Sequence, residues 1–268
     1  MRLVSLAPSN TEIVHALGLD DWLVGVDDWS DYPPETVELL PRLGPELQID
    51  LDKVEALKPD LVLASLSVPG MERVVEGLAA RGLPHVALNP LSLEDVYADI
   101  LQVGRLAGVP DRAQAVVEDL RARAQEIRAS VEEAAGPRAR PLDVYLEWWP
   151  KPLITPGRRS WVNDQLDLAG GRNVFADIDA PSRPVSDDDV FARDPDVILL
   201  CWQGSLEKVM DAGRVRSRPG WAERLRAVRE DRIFVLPEEL FGRPGPRLIE
   251  GAALLARILS GERRSLGR

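Results

Sequence analysis

Cysteine is nearly missing from this chain. Cys201 is the only one among 268 residues, which excludes an intramolecular disulfide, a CxxC redox pair and a cysteine-built zinc site. Histidine is almost as scarce, and His15 and His85 are far apart in sequence. No apolar run approaches the roughly 20 residues that cross a bilayer, so membrane insertion is not expected. Basic residues are outnumbered, 33 Lys and Arg against 44 Asp and Glu, for a net charge of −11. The basic stripe that displaces counterions from a polyanion is therefore wanting, which argues against nucleic acid and anionic membrane surfaces. GxSxG, HExxH, Walker and GxGxxG signatures are all missing. With no nucleophile, base or metal-ligand set at useful spacing, neither an enzyme nor a resident metal or cofactor is expected. Cys201 ends an apolar stretch and reads as a buried, inert thiol, and His15 as a structural residue rather than a metal ligand.

What the chain does contain is a repeat. Residues 49–64 reappear 136 residues later as 185–200, with Asp52/Asp188, Val54/Val190, Ala56/Ala192, Pro59/Pro195, Asp60/Asp196 and Leu63/Leu199 identical. Each copy reads as a short helix, a Pro-Asp turn and a buried strand. The same unit in both halves implies two similar α/β lobes with mainly parallel sheets and a ligand cleft between them. Residues 1–109 form the expected first lobe and 137–268 the second. Residues 110–136 form the expected connector, one long helix opening at Pro110-Asp111 and closing before Gly136-Pro137. Val116, Leu120, Ala124, Ile127 and Val131 make its amphipathic stripe. A rod of about 37 Å without a Gly/Ser stretch would limit lobe movement.

Elements within the lobes follow from local signals. Strands are expected at 3–6, 23–26, 85–88, 143–147 and 233–236, besides those in the repeats. Helices are expected from a Ser9-x-x-Glu12 capping box, near 71–81, at 161–168, 221–228 and 247–259, and the tail 261–268 is expected to fray. Asp187-Asp188-Asp189 fits a helix N-terminus, where carboxylates offset the dipole, better than a metal site.

In parallel sheets ligands bind beyond the carboxyl ends of the strands. Those ends carry Pro8-Ser9-Asn10, Asp28-Trp29-Ser30, Ser65-Leu66-Ser67, Trp148-Trp149, Trp202-Gln203-Gly204 and Glu238-Glu239-Leu240-Phe241. Four of the seven tryptophans fall there. Trp29, Trp148, Trp149 and Trp202 suit a bulky planar ligand, since an indole offers rigid apolar area and one donor; packing within the lobes is the competing reading. Asp52 and Asp188 occupy the same repeat position. They either charge their own helix starts or, one per lobe, receive two basic groups of a pseudo-symmetric partner.

Taken together, the chain resembles the periplasmic binding proteins of the helical-backbone class, which serve ABC importers of vitamin B12, haem and iron–siderophore complexes. It is most similar to the cobalamin-binding members. The resemblance covers nearly the whole chain and rests on Pro8-x-Asn10-Thr11-Glu12, Gly25-Val26 with Ser30-Asp31-Tyr32-Pro33-Pro34, Ala56-Leu57-Lys58-Pro59-Asp60-Leu61-Val62, Gly170-Gly171-x-Asn173-Val174-Phe175 and Val185-Ser186. It implies two α/β lobes joined by one long helix, and a monomer that binds a corrinoid without covalent chemistry and delivers it to a permease. By this resemblance Trp29 matches an aromatic that contacts the corrin and Trp148 a ligand-side phenylalanine. Glu239 and Arg243 match an Asp and an Arg on a ligand-side loop. Asp52 and Asp188 match two acids that meet arginines on the permease dimer. Glu46, Ser65 and Ser182 stand where cobalamin-binding members have further tryptophans, and Trp149 and Trp202 are the candidates to compensate. The implied compartment is periplasmic or extracytoplasmic, although Leu3–Ala7 is too short for a secretory h-region. The alternatives are a haem or ferric-siderophore carrier of the same class, or a cytoplasmic corrinoid-binding protein without a transporter. Tyr32 is the candidate iron ligand for haem, and Arg158, Arg159, Arg183 and Arg243 are the candidate partners of an anionic siderophore.

Overall fold

The structure, a computed structural model, describes residues 1–135, 140–202 and 210–261. Gly136-Pro137, Gln203-Gly204 and the tail from 262 lie outside the described residues. The chain divides into two compact units: Met1–Pro90, Glu94–Leu120 and Pro244–Pro246 in one, Leu91–Leu93, Arg121–Arg243 and Arg247–Arg268 in the other.

In the first unit, β1 (Leu3–Ser5), β2 (Leu23–Val26), β3 (Leu61–Ser65) and β4 (His85–Leu88) form a parallel sheet in the order β2-β1-β3-β4. In the second, β5 (Leu142–Glu147), β8 (Gly171–Asn173), β10 (Val197–Leu200) and β11 (Ile233–Val235) form a parallel sheet in the order β11-β10-β5-β8. The repeat places β3 on β10. The rest then corresponds, β1 to β5, β2 to β8 and β4 to β11, so both sheets share one strand order. The second unit adds a small antiparallel sheet, β6 (Trp149–Pro150), β7 (Leu153–Pro156) and β9 (Ser182–Val185), in the order β6-β7-β9.

Contacts within the repeat explain why its residues recur. Asp50 and Ser186, at matching positions, are the N-caps of helices Leu51–Ala56 and Asp187–Arg193, Asp50 accepting the N–H groups of Asp52 and Lys53 and Ser186 that of Asp189. Asp52 and Asp188 then fall in the same place of the first turn. The helices stop at Lys58 and Asp194, both left-handed with φ of 48° and 37°, and the prolines that follow forbid continuation. Asp60 and Asp196 tie each unit to the edge of its central strand. Asp60 N–H donates to Arg2 O at 2.9 Å and accepts Arg2 N–H on Oδ2 at 2.6 Å. Asp196 repeats this with Asp143 at 2.7 and 2.8 Å.

The family-like Asn and Gly positions also have structural duties. Asn10 Nδ2 donates to Ala64 O at 3.0 Å, crossing from the first helix to β3. Asn173 Nδ2 donates to Pro156 O at 3.0 Å, joining β8 to β7. Gly171 has no room for a Cβ, which would meet Leu259 Cδ1 at 2.9 Å. The first core is aliphatic (Val4, Leu43, Val54, Val62, Leu78), while the second is built on Tyr145, Phe175 and Trp221.

Several local expectations need correction. The first helix, Pro8–Ala16, starts without a capping box: Ala7 is the N-cap, Pro8 is at the first position, and Ser9 lies inside the turn. Proline's fixed φ suits that position and moves the start ahead of Ser9. The stretch 221–228 is two turns, Trp221–Arg224 and Arg226–Arg229, broken at an extended, buried Leu225. The Asp194 carboxylate accepts Arg226 N–H at 2.8 Å and so starts the second turn. A helix at Leu93–Leu106 was not expected, although Val96, Ile100 and Val103 give it a buried stripe. Helix Pro110–Ala135 forms as expected, but its buried row is Ala113, Val117, Leu120 and Ala124, with Val116 and Ile127 half-buried. Its residues to Leu120 belong to the first unit and those from Arg121 to the second.

Candidate functional site

The carboxyl edge of the first unit's sheet is organised by a buried polar cluster. Asp27, Ser30, Thr11 and Ser5 are all fully buried. Ser30 Oγ donates to Asp27 Oδ1 at 2.5 Å and lies 2.7 Å from Thr11 Oγ1, which in turn donates to Ser5 Oγ at 2.8 Å. Asp27 Oδ2 also accepts Trp29 N–H at 2.8 Å. Trp29 is thus held between two buried anchors, and its side chain is turned to solvent at 57% exposure. Arg42 braces the loop from behind, donating to Asp27 O, Ser30 O and Val37 O at 3.0, 2.5 and 3.2 Å. An exposed indole on a loop anchored by buried hydrogen bonds loses little freedom when it takes up a flat partner. Tyr32 follows this loop and packs edge-on against His15, with ring centroids 5.3 Å apart. His15 itself bonds Asp20 through Nδ1 at 2.9 Å, a structural role.

At the corresponding edge of the second unit the three tryptophans behave differently. Trp149, in β6, is 40% exposed, with Nε1 donating to Lys151 O at 3.1 Å. Trp148 is only 8% exposed, stacks obliquely on Trp161 at 5.7 Å, and its buried Nε1–H has no hydrogen-bond partner among the described residues. Trp202 is buried, and its Nε1 donates to Glu147 Oε1 at 3.0 Å.

Glu147 is the residue that sequence reasoning missed. It ends β5, is fully buried, and receives Arg218 at both oxygens, at 2.6 and 2.7 Å. Tyr145 Oη adds a third donor group at 3.1 Å. Burial pulls the Arg218 pKa down, but the Glu147 carboxylate more than offsets this and the net direction is upward. Burial first, then Glu147, pushes the Tyr145 hydroxyl well above its ordinary value. The cluster fixes the carboxyl ends of β5 and β10, and with them the starting points of the Trp148 and Trp202 segments. Its one sequence signal was a glutamate closing the strand after Val144-Tyr145-Leu146, but Arg218 lies 71 residues away.

Glu239 and Arg243 belong to a short helix, Glu238–Phe241, and its exit. Arg243 Nε donates to Glu238 Oε2 at 3.1 Å, tying the helix exit back to its first residue. The same helix meets Trp148 through Trp161, whose Nε1 donates to Phe241 O at 2.8 Å. Arg158 and Arg159 both pair with Asp179, at 3.0 and 3.3 Å. Cys201 is fully buried and burial pushes its thiol far up, as expected of an inert cysteine.

The two repeat acids are alike in surroundings. Asp52 is 85% exposed and pairs with Arg81 at 2.6 Å; Asp188 is 86% exposed and pairs with Arg224 at 3.1 Å. Each therefore stands at a helix start beside an arginine of its own unit. Asp189 closes a reciprocal capping box with Ser186 and Asp187 accepts Trp221 Nε1–H at 2.9 Å. The acidic triplet is a helix N-terminus, and no cluster of metal-binding side chains occurs among the described residues.

Two α/β units of one plan, with indoles on their strand-end loops, are the architecture of a class of binding proteins. A profile of the periplasmic binding protein family matches residues 3–240, and the chain belongs to that family. It is 30% identical over 251 residues to the vitamin B12-binding protein of Pectobacterium atrosepticum, covering 94% of this chain and 85% of that one. Among solved structures it is similar to the periplasmic vitamin B12 binding protein BtuF of Vibrio cholerae, with TM-score 0.79, 29% identity and 98% coverage of both chains. It is also similar to the periplasmic heme-binding protein RhuT from Roseiflexus sp. RS-1 in apo form, with TM-score 0.82, 28% identity and 97% coverage of both. The protein is thus a solute-binding protein of an ABC importer of the class that handles vitamin B12, haem and siderophores, not an enzyme. Among the described residues no helix is long and apolar enough to cross a membrane.

Proposed function

We propose that the transported ligand is cobalamin or a related corrinoid. The observation that carries this reading is Trp29, an indole more than half exposed yet fixed on both sides by buried Asp27 and Ser30. The second unit offers exposed Trp149, and the buried, unpartnered Trp148 Nε1–H is a donor in want of an acceptor. Glu239 and Arg243 supply the polar contacts in this reading, with Arg243 shared with Glu238, and Trp202 supports the wall rather than donating to the ligand. Apolar area covered on such walls is favourable by about 25 cal/mol per Å², less the cost of ordering the ligand. The names of the vitamin B12-binding relatives support the same choice.

Delivery follows from the repeat. Asp52 and Asp188 are the proposed docking acids, one on each unit, and the proposed partner is a two-fold permease dimer that presents a basic group to each. The ligand-loaded protein acts as a monomer in the periplasm or its extracytoplasmic equivalent.

Haem is the second reading, favoured by the likeness to a solved heme-binding protein. Tyr32, which packs edge-on against His15, is the candidate iron ligand in that reading.

Titration of purified protein with cyanocobalamin, read by tryptophan fluorescence and calorimetry, decides between them. Saturable quenching at one ligand per chain is the expected result. Neither heat nor quenching with cyanocobalamin, together with saturable binding of haemin, would replace the corrinoid by haem.

A further inference from the structure

Beside Trp29 the first unit carries a second exposed apolar side chain in a rigid setting, one that no sequence pattern singled out. Leu47 is 48% exposed. It is the third residue of the turn Pro45–Gln48, closed by Gln48 N–H donating to Pro45 O at 2.7 Å. Asp50 N–H donates to Leu43 O, also at 2.7 Å, and closes the base of the same turn. Gly44 has φ +103°, and a Cβ there would meet Gln48 O at 2.7 Å, so the turn has one compact form. It is bonded directly to the Trp29 loop: Asp28 N–H donates to Gly44 O at 3.0 Å, and Gly44 N–H donates to Asp28 Oδ1 at 3.1 Å. On its other side Leu47 Cδ2 lies 3.4 Å from where a Cβ of Gly70 would be, on the loop that follows β3.

Three segments therefore meet at the carboxyl edge of this sheet: 27–31, 44–48 and 66–70. None contains Lys, Arg or His, whereas Asp28, Asp31 and Glu46 fall within them and reach the surface, and Asp27 lies buried beneath. Arg42, the nearby cation, directs its guanidinium at three backbone carbonyls. Apolar surface framed by carboxylates takes a broad uncharged face and disfavours a carboxylate- or catecholate-rich one, because like charges brought together out of bulk water repel.

We infer that Leu47 is a ligand contact which, with Trp29, forms an apolar, acid-framed platform selecting chelates that present a face without net negative charge. This rests on the binding reading above and narrows its ligand class. It places an anionic siderophore last, and haem, with its two carboxylates, behind an uncharged corrinoid.

The test is a titration of wild type, Leu47→Ser and Glu46→Lys with three probes: cyanocobalamin, haemin and an anionic ferric catecholate. Wild type should bind cyanocobalamin most tightly. Leu47→Ser should weaken it about five- to tenfold, the worth of a partly buried leucine, with no change in thermal midpoint because the side chain is exposed. Glu46→Lys should improve haemin binding severalfold. Unchanged cyanocobalamin affinity in Leu47→Ser, while Trp29→Ala weakens it, would overturn the platform and leave the corrinoid reading standing. Wild type preferring haemin, with the same losses and gains in the two variants, would retire the corrinoid and keep the platform. Preference for the catecholate, or no binding of any probe, would overturn both.

Discussion

Trp29 owes its position to its neighbours. Asp27 and Ser30 are buried and bonded on either side of it, so the indole can be removed without disturbing the anchors. Trp29→Ala is expected to weaken cyanocobalamin binding at least about tenfold and to leave the thermal midpoint nearly unchanged. Trp148→Ala differs, because that ring is packed on Trp161 and its loss leaves a cavity; both affinity and midpoint should fall, the latter by about 3–5 kcal/mol of stability. A titration and a melt on each variant separate the two. Asp99 offers a pH test at the same scale. Its Oδ2 is buried without a hydrogen-bond partner among the described residues, and burial, with Asp95 adding repulsion, pushes its carboxyl up to about 7. A carboxyl raised in the folded state contributes stability that is complete below the unfolded pKa of about 3.9 and is lost as pH rises through the folded value. Asp99→Asn, a mimic of the neutral form, should therefore raise the melting point at pH 8 and leave it unchanged at pH 3. Exposure of Trp29 was readable as a tryptophan in a turn-forming loop. The burial of Trp148 and Trp202 was not, since which face of a strand-end residue is covered depends on elements far along the chain.

At the level of elements the repeat is a test with its own control. Asp60 and Asp196 make the same pair of backbone bonds, but Asp196 is buried and also pairs with Arg140 and Arg226. Asp196→Ala should cost about 2–4 kcal/mol, because it leaves backbone and guanidinium donors without an acceptor, and Asp60→Ala clearly less. Urea melts of the two variants check the ranking; equal losses would mean the backbone bonds alone matter. Burial raises the Asp196 pKa, but Arg140, the Asp143 N–H and Arg226 outweigh it and the net direction is downward. Its stabilisation is therefore present above the unfolded value and lost as pH falls through the lowered one. The repeat's helix–turn–strand plan was legible because caps, Pro and apolar runs are local signals. The Leu93–Leu106 helix had an equally regular stripe and went unread, whereas the break at Leu225 depends on Asp194, 32 residues before the Arg226 it caps. The antiparallel β6-β7-β9 sheet was hidden for the same reason, as β7 and β9 are separated by a helix and a strand.

For the whole molecule, the proposed docking acids give the decisive experiment. Reversing both, Asp52→Lys with Asp188→Lys, should abolish uptake through the cognate permease and spare solute affinity, since each acid is exposed and paired with a surface arginine. Undiminished uptake would return both residues to the simpler duty of charging their helix starts. That two α/β units exist and that they share one plan were determined by the sequence alone. Periodicity and Pro-Asp turns are properties of neighbouring residues. Tertiary structure decided which indoles face water, which arginine meets Glu147 and how Leu47 came to stand beside the Trp29 loop. Those outcomes turn on burial and on hydrogen bonds between distant segments, and only the folded chain brings such partners within reach.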